Sequence, residues 1–553
     1  MAIPHSKYPR PQMVREDWMC LNGAWEFDIT DNSRRPSVYG STIIVPFSPE
    51  TKLSGLERKT KPTDVLWYRK EIQIPASFSG KRLLLHFGAV DCEAAVWVNE
   101  VSVARHTGGY LPFTADITDA VEDGRAVIVV KVTDDTDASW HTRGKQKTKR
   151  GGIWYTPQSG IWQTVWLEAV PESYIKSLRI TPDFDGAAVE ILADTEGKEA
   201  AVAFFNGESY PLPARIPVPG FTEWSPENPF LYDFSVQCGE DRVDSYFAMR
   251  KFSVETDEKG IRRLFLNNRP YFHNGLLDQG YWPDGLYTAP DDDALLYDIR
   301  LAKSLGFNVL RKHIKIEPLR WYYYCDKLGM IVWQDMINGG GKYNAMTVIF
   351  PLFTGIQLKD NQYGLFARRN AEGRAAFKKE LGEMIEYLYN VPSIALWTVF
   401  NEGWGQFDSA EMVGFVRSLD KTRLIDHASG WHDQGVGDIV SKHVYFRKYR
   451  FRPDKKGRCV LLSEFGGYNH RVAGHCFNDK NFGYKGYETP LQLQNALKRL
   501  YSEEIREAYE KGLSAAIYTQ LSDVEDELNG LVTYDRKICK LPPEKVKEIV
   551  AIN

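Results

Sequence analysis

Two glutamates in this chain stand where an acid is out of place. Glu402 follows the apolar run "IALWTVF" through Asn401, and Glu464 closes the run "CVLLS". Trp397, Val399, Phe400 and Trp404 crowd the first of them, company a carboxylate normally avoids. Both runs have the length and composition of buried strands. Two carboxylates facing each other across a sugar form the arrangement that cleaves a glycosidic bond. One, protonated, donates to the leaving oxygen, while the other, ionised, attacks the anomeric carbon or activates water. Burial among aromatic rings raises one pKa and an arginine neighbour holds the other low, so surroundings alone separate the two roles.

These acids are not isolated. After about residue 256, strand-like runs alternate with helical stretches, and the polar residues closing the strands are concentrated. They are Asp278-Gln279, Arg311 with His313, Gln334-Asp335, Asn401-Glu402, Asp426-His427, His443 with Tyr445, Glu464 and Gln520. Any one of them alone is more simply a cap or a salt-bridge partner. An ordinary core does not need so many acids and imidazoles at one end. The stretch "PDDDALLYDIRLAKSLG" opens with acids, spaces its apolar residues helically and stops at Gly306. Eight strands with helices between them, over roughly 300 residues, is the count for a (β/α)8 TIM barrel, whose strand carboxyl ends surround the active site. The insertion at 337–365 has the length of an active-site loop.

Upstream, residues 1–171 read as an all-β jelly roll and 172–255 as a smaller immunoglobulin-like β-sandwich, leaving 256–553 for the barrel. In the first of these, "HTRGKQKTKRGG" (141–152) is basic and bounded by glycines, and reads as a solvated loop.

Bulk properties exclude several classes. With 26% charged residues, 43% hydrophobic residues and a net charge of -4, nothing favours a nucleic-acid or anionic-membrane partner. Seven scattered cysteines without CxxC spacing argue against a disulfide framework and a zinc site. No HExxH set points to a catalytic metal, "NGGGK" (338–342) lacks P-loop spacing, and no cofactor is expected. The opening residues have no apolar leader and no run of about 18 apolar residues occurs, so a cytoplasmic location is expected. Aromatic side chains are abundant, with 15 Trp, 29 Tyr and 28 Phe; such rings suit sugar faces as well as cores. The expected partner is an oligosaccharide or glycoside, with homo-oligomer formation left open.

"FNE" closing the fourth strand and "SEF" closing the seventh resemble the acid/base and nucleophile motifs of the clan of retaining glycosidases built on (β/α)8 barrels. The whole chain resembles glycoside hydrolase family 2, the β-galactosidase, β-glucuronidase and β-mannosidase family. "LNGAWEFD", "VWVNEVSVARHTGGYLPF" and "GIWQTVWLE" look like its sugar-binding jelly roll, "WSPENPFLYDFSV" its middle domain, and "GFNVLRKH" and "CDKLGMIVWQD" its barrel. The resemblance implies that Glu402 is the proton donor and later base, Glu464 the nucleophile, and Asn401 a contact of the sugar 2-hydroxyl. Arg311 and Tyr445 would flank the nucleophile. Trp404 and Trp431 would stack on sugar or aglycone, with core packing the competing reading. Asp278, His313, Asp335 and His443 complete the expected substrate-binding set.

"RKHIKIEP" replaces the Ser-His-Tyr-Pro-like stretch of better-known β-galactosidases, and Gly403 replaces the proline that usually follows the acid in β-glucuronidases. A literal "NDK" at 478–480 falls too close to Glu464 for the uronate-reading Asn-x-Lys pair of those enzymes, and reads as a polar loop. Lys312 is expected to point away from the pocket, while Asp278 and Asp335 would repel a sugar carboxylate. A retaining exo-glycosidase on neutral β-galactosides is therefore the first expectation. β-Uronides (glucuronide or galacturonide) and α-L-arabinopyranosides follow. A carbohydrate-binding protein with a dead barrel is the rival from another class; it usually loses one of the two acids, and both stand here.

Overall fold

The computed structural model describes residues 3–552. The chain opens with two antiparallel sheets. One has four strands in the order 18–20, 165–170, 82–87 and 113–116; the other has six, in the order 41–45, 23–30, 65–73, 125–133, 93–98 and 101–107. Alternate residues of these strands, among them Trp25, Phe27, Tyr68, Leu85, Phe87, Val96, Val130 and Leu167, fill the space between the sheets. A second sandwich follows, of three strands (174–183, 188–196, 214–217) and four (201–205, 208–211, 232–238, 241–247), around Ile180, Val189, Phe205, Phe234 and Phe247.

The remaining chain forms an eight-stranded parallel sheet curled into a barrel. Its strands are β1 (His273–Asp278), β2 (Val309–Lys312), β3 (Ile331–Asp335), β4 (Ile394–Thr398), β5 (Leu424–Asp426), β6 (Ile439–Val444), β7 (Cys459–Gly466) and β8 (Ala515–Thr519). Each pairs with its neighbour, β8 pairs with both β1 and β7, and the sheet edges are β5 and β6. These edges are tied by the Asp438 backbone N–H to Ile425 O (3.1 Å) and by Ser441 Oγ to the Asp426 carboxylate (2.6 Å). A three-stranded sheet (252–256, 262–266, 269–270) plugs the amino-terminal end, where Phe252, Leu264 and Leu266 meet the inward-facing Leu277, Val309, Ile331, Trp333 and Ile517.

Alternation along each strand decides what reaches the site. On β2, Val309 joins that inner layer while Leu310 packs outward against the helices, so Arg311 points in and Lys312 out. The helix at 292–304 is capped by Asp291, whose side chain accepts from the Ala294 N–H, and it lays Leu295, Ile299 and Ala302 on the barrel. The helix at 319–328 ends at Gly329, in the left-handed region at φ 70°. A Cβ there would lie 2.6 Å from the Pro226 carbonyl oxygen, so only glycine brings this helix end against the middle sandwich.

All seven cysteines are free. Among the described residues, no helix is long and apolar enough to cross a membrane.

Candidate active site

The carboxyl ends of β2, β3, β4, β6 and β7 bring most of the expected residues together. Arg311, fully buried, is the hub. Its Nε donates to Asp335 Oδ1 (3.0 Å), Nη1 to Glu464 Oε1 (2.9 Å) and Nη2 to Asn401 Oδ1 (2.8 Å). One guanidinium therefore sets the positions of three candidate groups from three strand ends. The Tyr445 hydroxyl donates a short hydrogen bond to the second oxygen of Glu464. Burial pushes the Glu464 carboxyl up, but His443, Arg311, His313 and the Tyr445 hydrogen bond outweigh it and hold the pKa at about 2.

Glu402 has the opposite surroundings. Its backbone is left-handed (φ 50°), tied by its N–H to Ser429 O at 2.9 Å, and its own carbonyl accepts from Trp431 Nε1 at 2.8 Å. Burial raises its pKa and the neighbouring Glu464 charge adds to the rise; the hydrogen bond with His443 Nδ1 (2.8 Å) offsets only part. His443 is held in turn by Ser429 Oγ, 2.9 Å from its Nε2, and Ser429 donates to Ser463 Oγ at 2.8 Å. One oxygen of each glutamate and a ring nitrogen of His443 all lie within 4.8 Å of one another.

Asn401 presents something further. Its Oδ1 is taken by Arg311, while its buried Nδ2 has no hydrogen-bond partner among the described residues. Such an orphan donor is costly unless a ligand fills it. His313 Nδ1 bonds Asp335 Oδ2 at 2.8 Å, and burial lowers its pKa to about 4, so at neutral pH its Nε2 is an acceptor. Trp404 sits under Trp154 and Tyr343, with ring centroids 5.2 and 6.4 Å away. Trp431 is committed through its Nε1 to holding the Glu402 and Thr347 carbonyls.

Three expectations are corrected. Asp278 is not in the site: it shares the outward face of β1 with Lys312 of β2, and Lys312 Nζ donates to it at 2.6 Å and to Glu317 at 2.8 Å. Asp335 does lie in the pocket, but both its oxygens are spent on Arg311 and His313. Neither acid is thus a free charge facing a sugar. Third, the basic run 141–152 is a solvated loop only in its second half, and residues 141–146 are buried. Arg143, Lys145 and Gln146 are buried, and the Arg143 and Gly144 N–H groups donate to Asn338 O in the loop after β3. Lys312 does point away, and Lys480 of "NDK" is exposed with Asn478 bonded to Asp526.

Sequence reasoning missed Tyr484, stacked on Tyr445 with centroids 3.7 Å apart, and Tyr155, which donates to Glu527. It also missed Lys145. The signal for the lysine was the basic run, whose ordinary meaning is a solvated face.

Two groups of side chains among the described residues have metal-ligand geometry: Glu402 with His443 and Glu464, and Asp91 with Cys92 and Asp134 in the first sandwich. In the former, His443 is bonded to Glu402, while Glu464 is held by Arg311 and Tyr445. In the latter, Asp91 accepts from Gln146 and Asp134 from Ser159.

Residues 51–171 match the family model described as the glycosyl hydrolases family 2 sugar binding domain, and residues 261–462 match its TIM barrel domain. A β-glucuronidase of Canis lupus familiaris is 25% identical over 515 residues, covering 80% of this chain and 74% of that protein. A β-galactosidase of Thermoanaerobacter pseudethanolicus is 24% identical over 446 residues, covering 74% of this chain and 54% of that protein. Among solved structures, a Ruminococcus gnavus β-glucuronidase superposes with a TM-score of 0.78 at 17% identity, covering 100% of this chain and 99% of that one. A β-galacturonidase from Eisenbergiella tayi gives 0.74 at 19%, covering 98% and 99%.

Proposed function

The chain belongs to glycosyl hydrolases family 2, and from that premise we propose that it is a retaining exo-β-glycosidase in which Glu464 is the nucleophile and Glu402 the acid and base. The observation that carries this reading is the split pair: two glutamate oxygens within 4.8 Å, one carboxyl pushed up and the other held at about 2. A retaining enzyme needs its carboxyl groups about 5–5.5 Å apart, against roughly 6.5–9.5 Å for inversion, and this separation favours retention.

In the first step, ionised Glu464 attacks the anomeric carbon as protonated Glu402 donates to the departing oxygen. Arg311 and Tyr445 keep the nucleophile charged and aimed. The free Asn401 Nδ2 donates to a hydroxyl beside the reaction centre, a bond that strengthens as oxocarbenium character develops. In the second step Glu402, now ionised and bonded to His443, takes a proton from water, which attacks the same carbon and releases Glu464.

For the sugar, the β-uronides replace β-galactosides as first choice. The argument for a neutral sugar rested in part on Asp278 and Asp335, and the first is turned away while the second is paired with Arg311 and hydrogen-bonded to His313. Relatives named β-glucuronidase, such as the dog protein, support the same choice. The test is kcat/KM on nitrophenyl β-glucuronide, β-galacturonide, β-galactoside and α-L-arabinopyranoside at one pH. A uronide should lead by about tenfold or more, roughly 1.4 kcal/mol of transition-state binding. A neutral substrate leading by that margin would overturn the sugar and leave the roles of the two glutamates standing.

A further inference from the structure

Lys145 is only 5% exposed, although it lies in a run of five cations. The backbone before and after it is fixed. Gly144 has φ +60°, and a Cβ on it would lie 2.8 Å from the Tyr287 hydroxyl and 3.0 Å from the Ile314 carbonyl oxygen. The Lys145 carbonyl accepts from the Tyr155 N–H at 3.0 Å. Its ammonium therefore has a defined place. Nζ is 5.3 Å from the centre of the Tyr155 ring, 6.0 Å from that of Trp404, and 3.9 Å from Glu527 Oε2. The Trp404 ring is in turn 6.2 Å from that of His313 and follows Glu402 by two residues, which sets the ammonium on the acid's side of the site, and its charge lowers the proton affinity of Glu402 and His313.

That ammonium has no hydrogen-bond acceptor within reach among the described residues. Other buried lysines of this chain are satisfied: Lys312 donates to Asp278 and Glu317, Lys315 to Glu317 and two carbonyls, and Lys540 to Asp523 and a carbonyl. Glu527 does not fill the gap. At 3.9 Å it is too far for a hydrogen bond, and it is itself held by the Tyr155 hydroxyl and by Asn529 Nδ2 at 3.3 Å. The ammonium, unlike the orphaned Asn401 Nδ2, keeps a narrow opening to solvent, and a carboxylate reaching that opening is the group its three donors would hold best.

We propose that Lys145 is a specificity-determining residue whose ammonium takes the carboxylate of a sugar acid bound over Glu402 and Glu464. The N-terminal sandwich, through the loop that Gly144 seats, then reads the uronate in a barrel whose own inward cation, Arg311, is already spent. This rests on the β-uronide reading above. A neutral hydroxyl in the same place would occupy one donor and leave the charge balanced only by Glu527.

The full-length chain with Lys145→Met and with Lys145→Arg provides the test, on the same four nitrophenyl glycosides. Lys145→Met should lower uronide kcat/KM by about 10²-fold or more, chiefly through KM, and at least about tenfold further than it lowers the value on either neutral glycoside. Lys145→Arg, which keeps the charge, should recover a substantial part of the uronide activity. Equal losses on all substrates, carried by kcat and with a displaced alkaline limb, would overturn the assignment and leave Lys145 acting through Glu402. Unchanged kinetics would overturn it as well. A wild-type enzyme that turns over neither uronide fails at the earlier step, and that failure is visible before any variant is made.

Discussion

At the scale of single residues, the candidate site makes two identical side chains unlike. Glu402 is buried beside a negative neighbour, Glu464 beside Arg311, His443 and a tyrosine hydroxyl. The proposed roles need Glu464 ionised and Glu402 protonated, so activity should fall below the first pKa, near 2, and again above the raised pKa of Glu402. Glu402→Gln removes the titrating acid. On an unactivated disaccharide it should cost about 10²–10⁴-fold in kcat/KM, and with a dinitrophenyl leaving group much less, with the alkaline limb gone. A pH profile on the dinitrophenyl substrate that keeps this limb would place the acid elsewhere. Both glutamates are visible in the sequence because an acid closing an apolar strand is conspicuous. Asp278 is just as conspicuous and faces the helices instead. A strand end can be read from sequence, but which face its last residue takes depends on register, and register is set by pairing with β2.

At the scale of elements, the barrel's alternation of apolar runs with capped helices is legible because each helix carries its own start and stop signals. Asp291 before the helix at 292–304 and Gly329 after that at 319–328 are examples. Gly329 also shows what such signals hide, namely that the same residue permits contact with Pro226 of another part of the chain. Gly329→Ala should therefore destabilise by at least about 1–2 kcal/mol from the left-handed backbone alone, with the clash in addition. Gly414, on the exposed side of the helix at 409–419 and with nothing near its missing Cβ, should behave oppositely, Ala there stabilising by about 0.5–1 kcal/mol. Thermal midpoints of the two variants should move in opposite directions. A shared direction would contradict the assignment of backbone strain at Gly329.

At the scale of the whole molecule, the site is shared between parts of the chain far apart in sequence. The loop carrying Arg143, Lys145, Trp154 and Tyr155 belongs to the first sandwich, yet it is bonded to Asn338 after β3 and touches Glu527 after β8. Periodicity and turn signals describe each unit separately and contain nothing about how units dock, which is why this loop reads as solvent-facing until the barrel is set against it. The central claim, that Glu464 forms a covalent bond to the sugar, can be measured directly on this assembled protein. The chain is incubated with the 2-deoxy-2-fluoro, good-leaving-group analogue of its best nitrophenyl substrate, digested, and the modified peptide identified by mass spectrometry. The account predicts time-dependent inactivation with a single fluoroglycosyl ester on Glu464. An ester on Glu402 or on any other side chain would contradict it, as would turnover of the true substrate with first-formed product of inverted configuration.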